Sequence, residues 1–253
     1  MTSTHSNDSY ICPQWPAPKQ IKAFSSTRQG GVSEMPYGSL NLGAHVGDQI
    51  TDVTENRQRF ADHINMPTSL RWLNQVHGTK TVTLPSKALG DLEADASFTQ
   101  TKGQVCAVMT ADCLPLLICN NKGTQVAACH AGWRGLCDGV IESSIAKFED
   151  ASDLMVWLGP AIGASAFEVG GEVKEAFVLQ DKQAESAFKT SRNDGKWLAD
   201  IYLLAKQRLK ALGVNQIYGG DYCTYEDESQ FFSYRRDKQT GRLASVIWID
   251  AES

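Results

Sequence analysis

The chain has 253 residues, of which 42% are hydrophobic, and this is enough to bury a sizeable core and excludes a disordered protein. Its 24 Lys and Arg against 29 Asp and Glu give a formal charge of -5, spread without blocks of one sign. Nucleic acids and anionic membranes recruit basic surfaces, so we expect neither to be a partner.

The cysteines and the N-terminus predict where the protein resides. The seven cysteines are an odd number and lie mostly in apolar runs without a framework spacing, which favours reduced thiols in the cytoplasm. The N-terminus lacks the features of a signal peptide. The most apolar stretch, 105–119, is interrupted by Asp112 and Pro115 and is too short to span a bilayer. We predict a disordered tail over residues 1–10 and a single domain over 11–253.

The first half of the chain predicts one helix followed by buried strands. Asp52 is a candidate N-cap with Glu55 at the third helical position, and the pattern that follows predicts a helix over 53–64. Apolar runs bounded by Gly, Pro, Asn or Asp then predict strands at 81–84, 105–109, 116–119, 126–130, 154–158 and 246–249.

The second half of the chain interleaves helices with these strands. Apolar spacing predicts an amphipathic helix between about 136 and 148 and another over 196–212 that ends at Gly213. The C-terminal segments 231–235 and 243–249, separated by a turn, are typical of a hairpin. The fold class predicted is α+β, or mixed α/β: a single compact domain with a mixed, partly antiparallel sheet flanked by helices.

Three predicted strand ends carry side chains that bind metals. His77 precedes one strand, Cys113 lies between two strands, and His130 ends a third. Strand ends that meet at one edge of a sheet form sites in α/β proteins, and two imidazoles with a thiolate suit Zn²⁺ with a fourth position open. The ligands lack the short spacing of local zinc motifs, so buried structural residues remain the alternative on spacing alone.

Three arginines lie in loops that suit phosphate recognition. Arg134 follows His130 within Gly132-Trp133-Arg134-Gly135, where a predicted helix begins. Arg28 lies beside two glycines, and Arg235 follows a tyrosine. Solvated surface arginines are the alternative at each position.

Seven motifs in order resemble the YfiH-like, laccase-domain family from about residue 15 to residue 249. They are Ser26-Thr27-Arg28-x-Gly30-Gly31-Val32-Ser33, Leu40-Asn41-Leu42-Gly43, Gln75-Val76-His77-Gly78, Thr110-Ala111-Asp112-Cys113-x-Pro115, His130-Ala131-Gly132-Trp133-Arg134-Gly135, Phe167-Glu168-Val169-Gly170 and Phe231-Phe232-Ser233-Tyr234-Arg235-Arg236. The match covers nearly the whole chain, and no motif residue departs from the family pattern.

The resemblance implies a zinc enzyme acting on purine nucleosides. It implies Zn²⁺ on His77, Cys113 and His130, with copper a less favoured metal. Family members were described first as polyphenol oxidases and later as phosphorylases of adenosine, inosine, guanosine and S-methyl-5'-thioadenosine that also deaminate adenosine. With phosphate as co-substrate, we assign Arg28, Asn41, Arg134 and Arg235 to substrate or phosphate binding. Asp112 is the candidate proton shuttle, and Asp112 and Cys113 are the predicted catalytic residues.

Three other functions use the same residues. A copper oxidase of phenols fits a His₂Cys set, but five histidines without an H-x-H pair cannot build a multinuclear copper cluster. A cysteine- or zinc-dependent hydrolase or amidase, for example acting on a cell-wall precursor, would use Cys113 as nucleophile with His77 or His130 as base. A structural zinc module is the least favoured, because a chain of this size folds without metal.

Overall fold

Two β-sheets packed face to face form the centre of the molecule. The computed structural model describes residues 9–67, 70–86 and 92–251. The strands there are β1 (Tyr10–Ile11), β2 (Ile21–Ser26), β3 (Leu73–Asn74), β4 (Thr81–Leu84), β5 (Leu92–Glu93), β6 (Ala96–Thr99), β7 (Cys106–Thr110), β8 (Leu114–Asn120), β9 (Val126–Ala131), β10 (Leu154–Leu158), β11 (Glu168–Gly170), β12 (Phe188–Thr190), β13 (Lys196–Ala199), β14 (Gln216–Gly219) and β15 (Leu243–Ile249).

Most of the helices pack against the outer faces of these sheets, whereas the last, a single turn, has no buried residue. The helices are α1 (Ile50–His63), α2 (Trp133–Asp138), α3 (Val140–Ile145), α4 (Gly171–Gln180), α5 (Ile201–Ala211) and α6 (Tyr234–Asp237), with short 3₁₀ turns at Ala151–Asp153 and Lys182–Ala187. The predicted class, a mixed α/β domain, is confirmed.

The strands form several sheets where the sequence predicted one. A four-stranded sheet has the order β1-β2-β15-β7, and a six-stranded sheet has the order β14-β10-β8-β9-β6-β4. Smaller sheets join β11-β13-β12 and β3-β5. Pairing is mixed: β8 and β9 are antiparallel, whereas β4 and β6 are parallel.

Both central sheets are buried on both faces. In β8, Leu116 and Ile118 face the cluster formed with α2 to α5, whereas Leu117 and Cys119 face the other sheet. On the far face of the four-stranded sheet, Phe60 of α1 packs in a third cluster. Because successive side chains of a strand point to opposite faces, strands in this arrangement read as continuous apolar runs. This explains why the runs located strands from sequence.

Several predicted element boundaries are corrected by the structure. The first helix begins at Ile50 after the N-cap Gln49, so Asp52 lies in the first turn and is not the cap. The helix predicted between 136 and 148 is two helices, α2 and α3, because Gly139 is left-handed with φ +107°. A left-handed residue interrupts the repeating helical hydrogen bonds.

The C-terminal third departs most from the predicted elements. Lys196–Ala199, expected to begin a helix, is strand β13, and α5 starts only after Asp200, whose side chain accepts a hydrogen bond from the Leu203 N–H. The expected hairpin is also wrong. Residues 231–233 form no strand, and Tyr234–Asp237 is a short helix capped by Ser233.

The predicted N-terminal tail lies almost entirely outside the described residues. Residues 1–8 are not described, whereas Tyr10 pairs with Ser26 in β1. Over the described ranges, every helix is too short or too polar to cross a bilayer.

Candidate metal centre

His77, Cys113 and His130 converge at one end of the six-stranded sheet. His77 lies in the loop between β3 and β4, Cys113 immediately precedes β8, and His130 lies in β9. Their ligand atoms all lie within 4.8 Å of one another, and the Cys113 Sγ to His77 Nε2 distance is 3.8 Å. The structure therefore brings the three predicted ligands together.

The spacing and chemistry of these atoms fit a metal ion. Ligand atoms bound to one tetrahedral Zn²⁺ lie about 3.5 Å apart, close to the Cys113–His77 distance. His77 is exposed, Cys113 is half-buried and His130 is 3% exposed, so the cluster opens to solvent on the side of His77. Three ligands with one accessible side define a potential metal site that can also admit a substrate.

Strand register explains why Cys113 and His130 are neighbours. In the antiparallel pair of β8 and β9, Pro115 lies opposite His130 and Leu114 lies opposite Ala131. Continuing this register places Cys113 beside Gly132, diagonally across from His130. Diagonal neighbours on adjacent strands lie close enough for their side chains to meet. His77 comes from a loop that no strand pairing predicts.

Gly132 allows the close approach of His77 and Cys113. A Cβ atom at Gly132 would lie 2.7 Å from His77 Cδ2 and 3.1 Å from Cys113 Sγ. Gly135, one turn of helix later, lies against the same loop, because a Cβ there would lie 2.6 Å from the Gly78 carbonyl oxygen. The two glycines of this motif are thus required by packing against the His77 loop.

Asp95 is a buried carboxylate behind the cluster that the sequence analysis missed. It immediately precedes β6, its backbone carbonyl accepts a hydrogen bond from the His130 N–H, and its side chain accepts one of 2.8 Å from His130 Nδ1. It also accepts hydrogen bonds from the backbone N–H groups of Val76, His77 and Gly78. The available signal was an acidic residue between Ala94 and Ala96, directly before a short buried strand.

Electrostatics couple Cys113 to His130. Burial raises the pKa of the Cys113 thiol, but the charge and hydrogen bond of His130, together with His77, outweigh it and lower the pKa to about 6. Burial lowers the pKa of His130, but Cys113 and Asp95 outweigh it and raise the pKa to about 9. Each group therefore favours the charged form of the other, and His130 must be unprotonated at the ring nitrogen that binds a metal.

Asp112, the predicted proton shuttle, joins two loops beside the cluster. Its Oδ1 accepts a 2.7 Å hydrogen bond from the Thr224 hydroxyl, and its Oδ2 accepts one of 2.6 Å from the Arg235 N–H. The residue is left-handed, with φ +88°. These contacts fix the turn that carries Cys113, and the shuttle role remains a prediction.

The three predicted phosphate-binding arginines differ in how many donors are free. Arg134 is exposed and lies over the Trp133 ring at 4.5 Å, and in the described parts of the chain its guanidinium makes no hydrogen bond. Arg235 Nη1 donates to the Glu168 carbonyl at 2.7 Å. Arg28 is 8% exposed and donates to two loop carbonyls. Arg134 is thus the most available to a ligand.

Asn41, also assigned to substrate binding, is completely buried. Its amide nitrogen donates to Asp48 and to the Gly43 carbonyl, and its amide oxygen accepts from the N–H groups of Gly43 and Arg242. These bonds hold two loops together. Contact with substrate remains a prediction for this residue.

The fold and site define a mixed α/β protein with a His-Cys-His candidate metal centre. Residues 22–250 match the family described as multi-copper polyphenol oxidoreductase laccase, and the chain belongs to this metal-binding family. The resemblance read from the sequence motifs is thereby confirmed.

Relatives over nearly the whole chain carry a common enzyme name. The purine nucleoside phosphorylase YfiH of Escherichia coli is 57% identical over 240 residues, covering 94% of this chain and 98% of that protein. The purine nucleoside phosphorylase PA4543 of Pseudomonas aeruginosa is 50% identical over 96% and 99% of the two chains.

Solved structures share the fold. The Neisseria meningitidis protein NMB0706 superposes with a TM-score of 0.91 at 47% identity, covering 96% of this chain and 100% of that one. YfiH of Bacillus licheniformis gives a TM-score of 0.89 at 27% identity, covering 97% and 98%. The arrangement of two packed central sheets with helices outside them is therefore the fold of a set of bacterial relatives.

Proposed function

We propose that this protein is a purine nucleoside phosphorylase whose active site is the His77–Cys113–His130 cluster. The observation that carries the proposal is the 57% identity, over 94% of the chain, to a phosphorylase of that name. The cluster supports it, because it opens to solvent and is followed along the chain by the exposed Arg134. Purine nucleosides and phosphate are the proposed substrates.

Zn²⁺ is the proposed metal. One thiolate and two imidazoles suit Zn²⁺, which would supply Lewis acidity and favour ionisation of water near pH 7. The family description names several copper ions, yet across the described ranges this cluster is the single group of three or more metal-binding side chains. A multinuclear copper centre needs more ligands than that, so a laccase-type reaction is not favoured.

Phosphate is proposed to bind at Arg134, with Arg235 beside it. Arg134 lies two residues after Gly132, which packs against His77 and Cys113, so the arginine emerges from the chain close to the cluster. A guanidinium presents paired donors that match phosphate oxygens. Arg28 and Asn41 would support the phosphate site indirectly by holding loops in place. The Arg28 carbonyl accepts a hydrogen bond from the Ser39 hydroxyl, and the Asn41 amide oxygen accepts one from the Arg242 N–H.

Deamination of adenosine is proposed as a second reaction of the same site. It requires an activated water and a group that transfers protons. Asp112 precedes Cys113 and has a half-buried carboxylate, so it is the proposed proton carrier. Phosphorolysis and deamination would then share a metal but use different groups around it.

A product assay tests the proposal. Protein incubated with inosine and phosphate should release hypoxanthine and ribose 1-phosphate, and with adenosine it should also release inosine. Cys113→Ala should abolish both reactions, while Cys12→Ala, which removes an exposed thiol outside the cluster, should not. Absence of purine release by the wild-type protein, or full turnover by Cys113→Ala, would contradict the proposal.

Arg134 is tested by substrate kinetics. A charge-assisted hydrogen bond is worth about 1.5–3 kcal/mol, so Arg134→Ala should raise the KM for phosphate about 10-fold or more. The control is Arg59→Ala, because Arg59 is exposed and pairs with Glu55 on α1. An unchanged KM for phosphate would assign phosphate binding to other residues.

A cysteine hydrolase is a second candidate, favoured by the thiolate–imidazolium pair. A Cys113 thiol with a pKa of about 6 is a nucleophile at neutral pH, and His130 lies beside it. An amide bond of a cell-wall precursor is a suitable substrate class. Hydrolysis that survives a chelator and is lost when Cys113 is alkylated would favour this function over the metal-dependent one.

The cytoplasm is the proposed location. All seven cysteines fall within the described ranges and all are free thiols. Free thiols persist in reducing compartments, which supports this location.

A further inference from the structure

The buried carboxylate of Asp95 contacts both histidines of the cluster, His130 through its ring and His77 through its backbone N–H. Its Oδ1 accepts hydrogen bonds from His130 Nδ1 at 2.8 Å and from the His77 backbone N–H at 2.9 Å. Its Oδ2 accepts from the N–H groups of Val76 at 3.2 Å and Gly78 at 2.7 Å. The side chain is inaccessible to solvent, so protein groups alone determine its orientation.

The contact with His130 selects which ring nitrogen faces the cluster. A carboxylate acceptor keeps the proton on Nδ1, which leaves the lone pair of Nε2 for a metal. The ring lies edge-on to the His77 ring, with centroids 4.9 Å apart, so it has little freedom to rotate. Asp95 therefore sets both the tautomer and the direction of this ligand.

The contact with His77 acts through the backbone. His77 has φ +60°, a left-handed conformation that residues other than glycine rarely adopt. Three successive N–H groups, from 76 to 78, converge on the Asp95 carboxylate and compensate for this conformation. The carboxylate is held in turn, because the Asp95 carbonyl accepts from the His130 N–H and its own N–H donates to the Lys80 carbonyl.

We propose that Asp95 is the positioning residue of the metal centre, orienting His130 by its ring and His77 by its loop. The proposal rests on the metal site of the proposed function and not on the substrate. A protein that binds Zn²⁺ but does not cleave nucleosides would therefore overturn the proposed function and leave this inference intact.

Asp95→Asn tests the proposal through metal affinity. In either orientation of the amide, its NH₂ group faces at least one backbone N–H, and against His130 it would donate to Nδ1 and move the ring proton to Nε2. We expect the Kd for Zn²⁺, measured against a competing chelator, to rise about 10- to 100-fold, as for other groups that orient metal ligands. The thiolate and ligand-field bands of the Co²⁺-loaded protein should also change.

Asp48→Asn is the matched control. The Asp48 carboxylate likewise accepts several hydrogen bonds within a loop, from Ser33, Asn41 and Gln49, but it contacts none of the three cluster residues. We expect this variant to keep the Zn²⁺ affinity and the Co²⁺ spectrum of the wild-type protein. If folded Asp95→Asn also kept both, Asp95 would not position the ligands and the proposal would be overturned.

If Asp95→Asn does not fold, a measurement on the wild-type protein tests whether Asp95 orients His130. Nitrogen-15 NMR of histidine-labelled, Zn²⁺-loaded protein reports which ring nitrogen carries a proton, and the chain has only five histidines to assign. We expect His130 to be protonated at Nδ1 and bound through Nε2. Binding through Nδ1, or a proton on Nε2, would overturn the proposal.

Discussion

At the residue scale, two left-handed residues flank the candidate metal centre. His77 and Asp112 have φ of +60° and +88°, a conformation that costs about 1–2 kcal/mol for residues with a Cβ. Hydrogen bonds compensate for it at both positions, from Asp95 at His77 and from Thr224 and the Arg235 backbone at Asp112. Of the four non-glycine residues with positive φ in the described ranges, these two lie in turns that carry or precede a ligand, and strained backbone is common at functional sites.

Gly132→Ala should weaken metal binding without unfolding the protein. The added Cβ would lie 2.7 Å from His77 Cδ2 and 3.1 Å from Cys113 Sγ, so one of these ligands must move. Because misplaced ligands bind poorly, we expect the Zn²⁺ affinity to fall at least 10-fold, as measured by competition with a chromophoric chelator.

Gly171→Ala is the control for that substitution. Gly171 begins α4, and a Cβ there would meet no atom within 4 Å. We expect unchanged metal affinity and a slightly more stable helix, since alanine is favoured over glycine in helices. Equal Zn²⁺ affinity in the two variants would show that the cluster tolerates the displacement.

Sequence motifs predicted the three candidate ligands but not the carboxylate that contacts two of them. His77, Cys113 and His130 were predicted from their residue types, their strand-end positions and the family resemblance, and the structure brings them together. Asp95 escaped prediction because its role depends on the pairing of β6 with β9, which brings the residue before β6 next to His130. Pairing between strands is not encoded in any local pattern, so a residue that acts through it has no motif.

At the scale of elements, the starts of the two longest helices differ in whether a side chain caps them. Asp200 accepts a 2.9 Å hydrogen bond from the Leu203 N–H at the start of α5, whereas Gln49 at the start of α1 makes no such bond. The predicted helix over 196–212 began too early because the apolar residues Trp197 and Leu198 fit the pattern of a buried helix and of a buried strand equally well. Their pairing with β11 and β12 placed them in a strand.

The two helix starts make a matched pair for a stability measurement. Asp200→Ala removes a side-chain acceptor from an otherwise unpaired helical N–H, so we expect the free energy of unfolding to fall by about 1 kcal/mol. Gln49→Ala removes no capping bond and should change it by less than 0.5 kcal/mol, about the scatter of surface substitutions. Urea titration followed by far-UV circular dichroism measures both, and equal losses would contradict the assigned caps.

At the scale of the whole molecule, the metal centre lies at the end of an extensive apolar core. Separate clusters fill the space between the two central sheets and beneath the helices on each outer face. A chain with this much buried apolar surface does not need metal to fold. The ligands come from one strand and two loops, so the assembled fold brings them together before metal binds.

Metal removal should therefore abolish activity while leaving the fold intact. We expect dialysis against a chelator to remove phosphorolysis and Zn²⁺ to restore it, with an unchanged far-UV spectrum. The melting temperature should fall modestly, because metal that binds only the folded state stabilises it by mass action. Unfolding on metal removal would instead favour a structural zinc module. Stoichiometric copper in protein purified without added metal would favour the phenol oxidase.

The sequence by itself determined the family, the mixed α/β class, the buried strands and the three candidate ligands. These depend on local patterns: continuous apolar runs mark strands buried on both faces, and motifs keep their order along the chain. Tertiary structure alone decided the division into two central sheets, the strand at Lys196–Ala199, the broken helix at Gly139 and the role of Asp95. The sheets, the strand and the role of Asp95 depend on contacts between residues distant in sequence, which local patterns do not record, whereas the helix break depends on the left-handed backbone of Gly139.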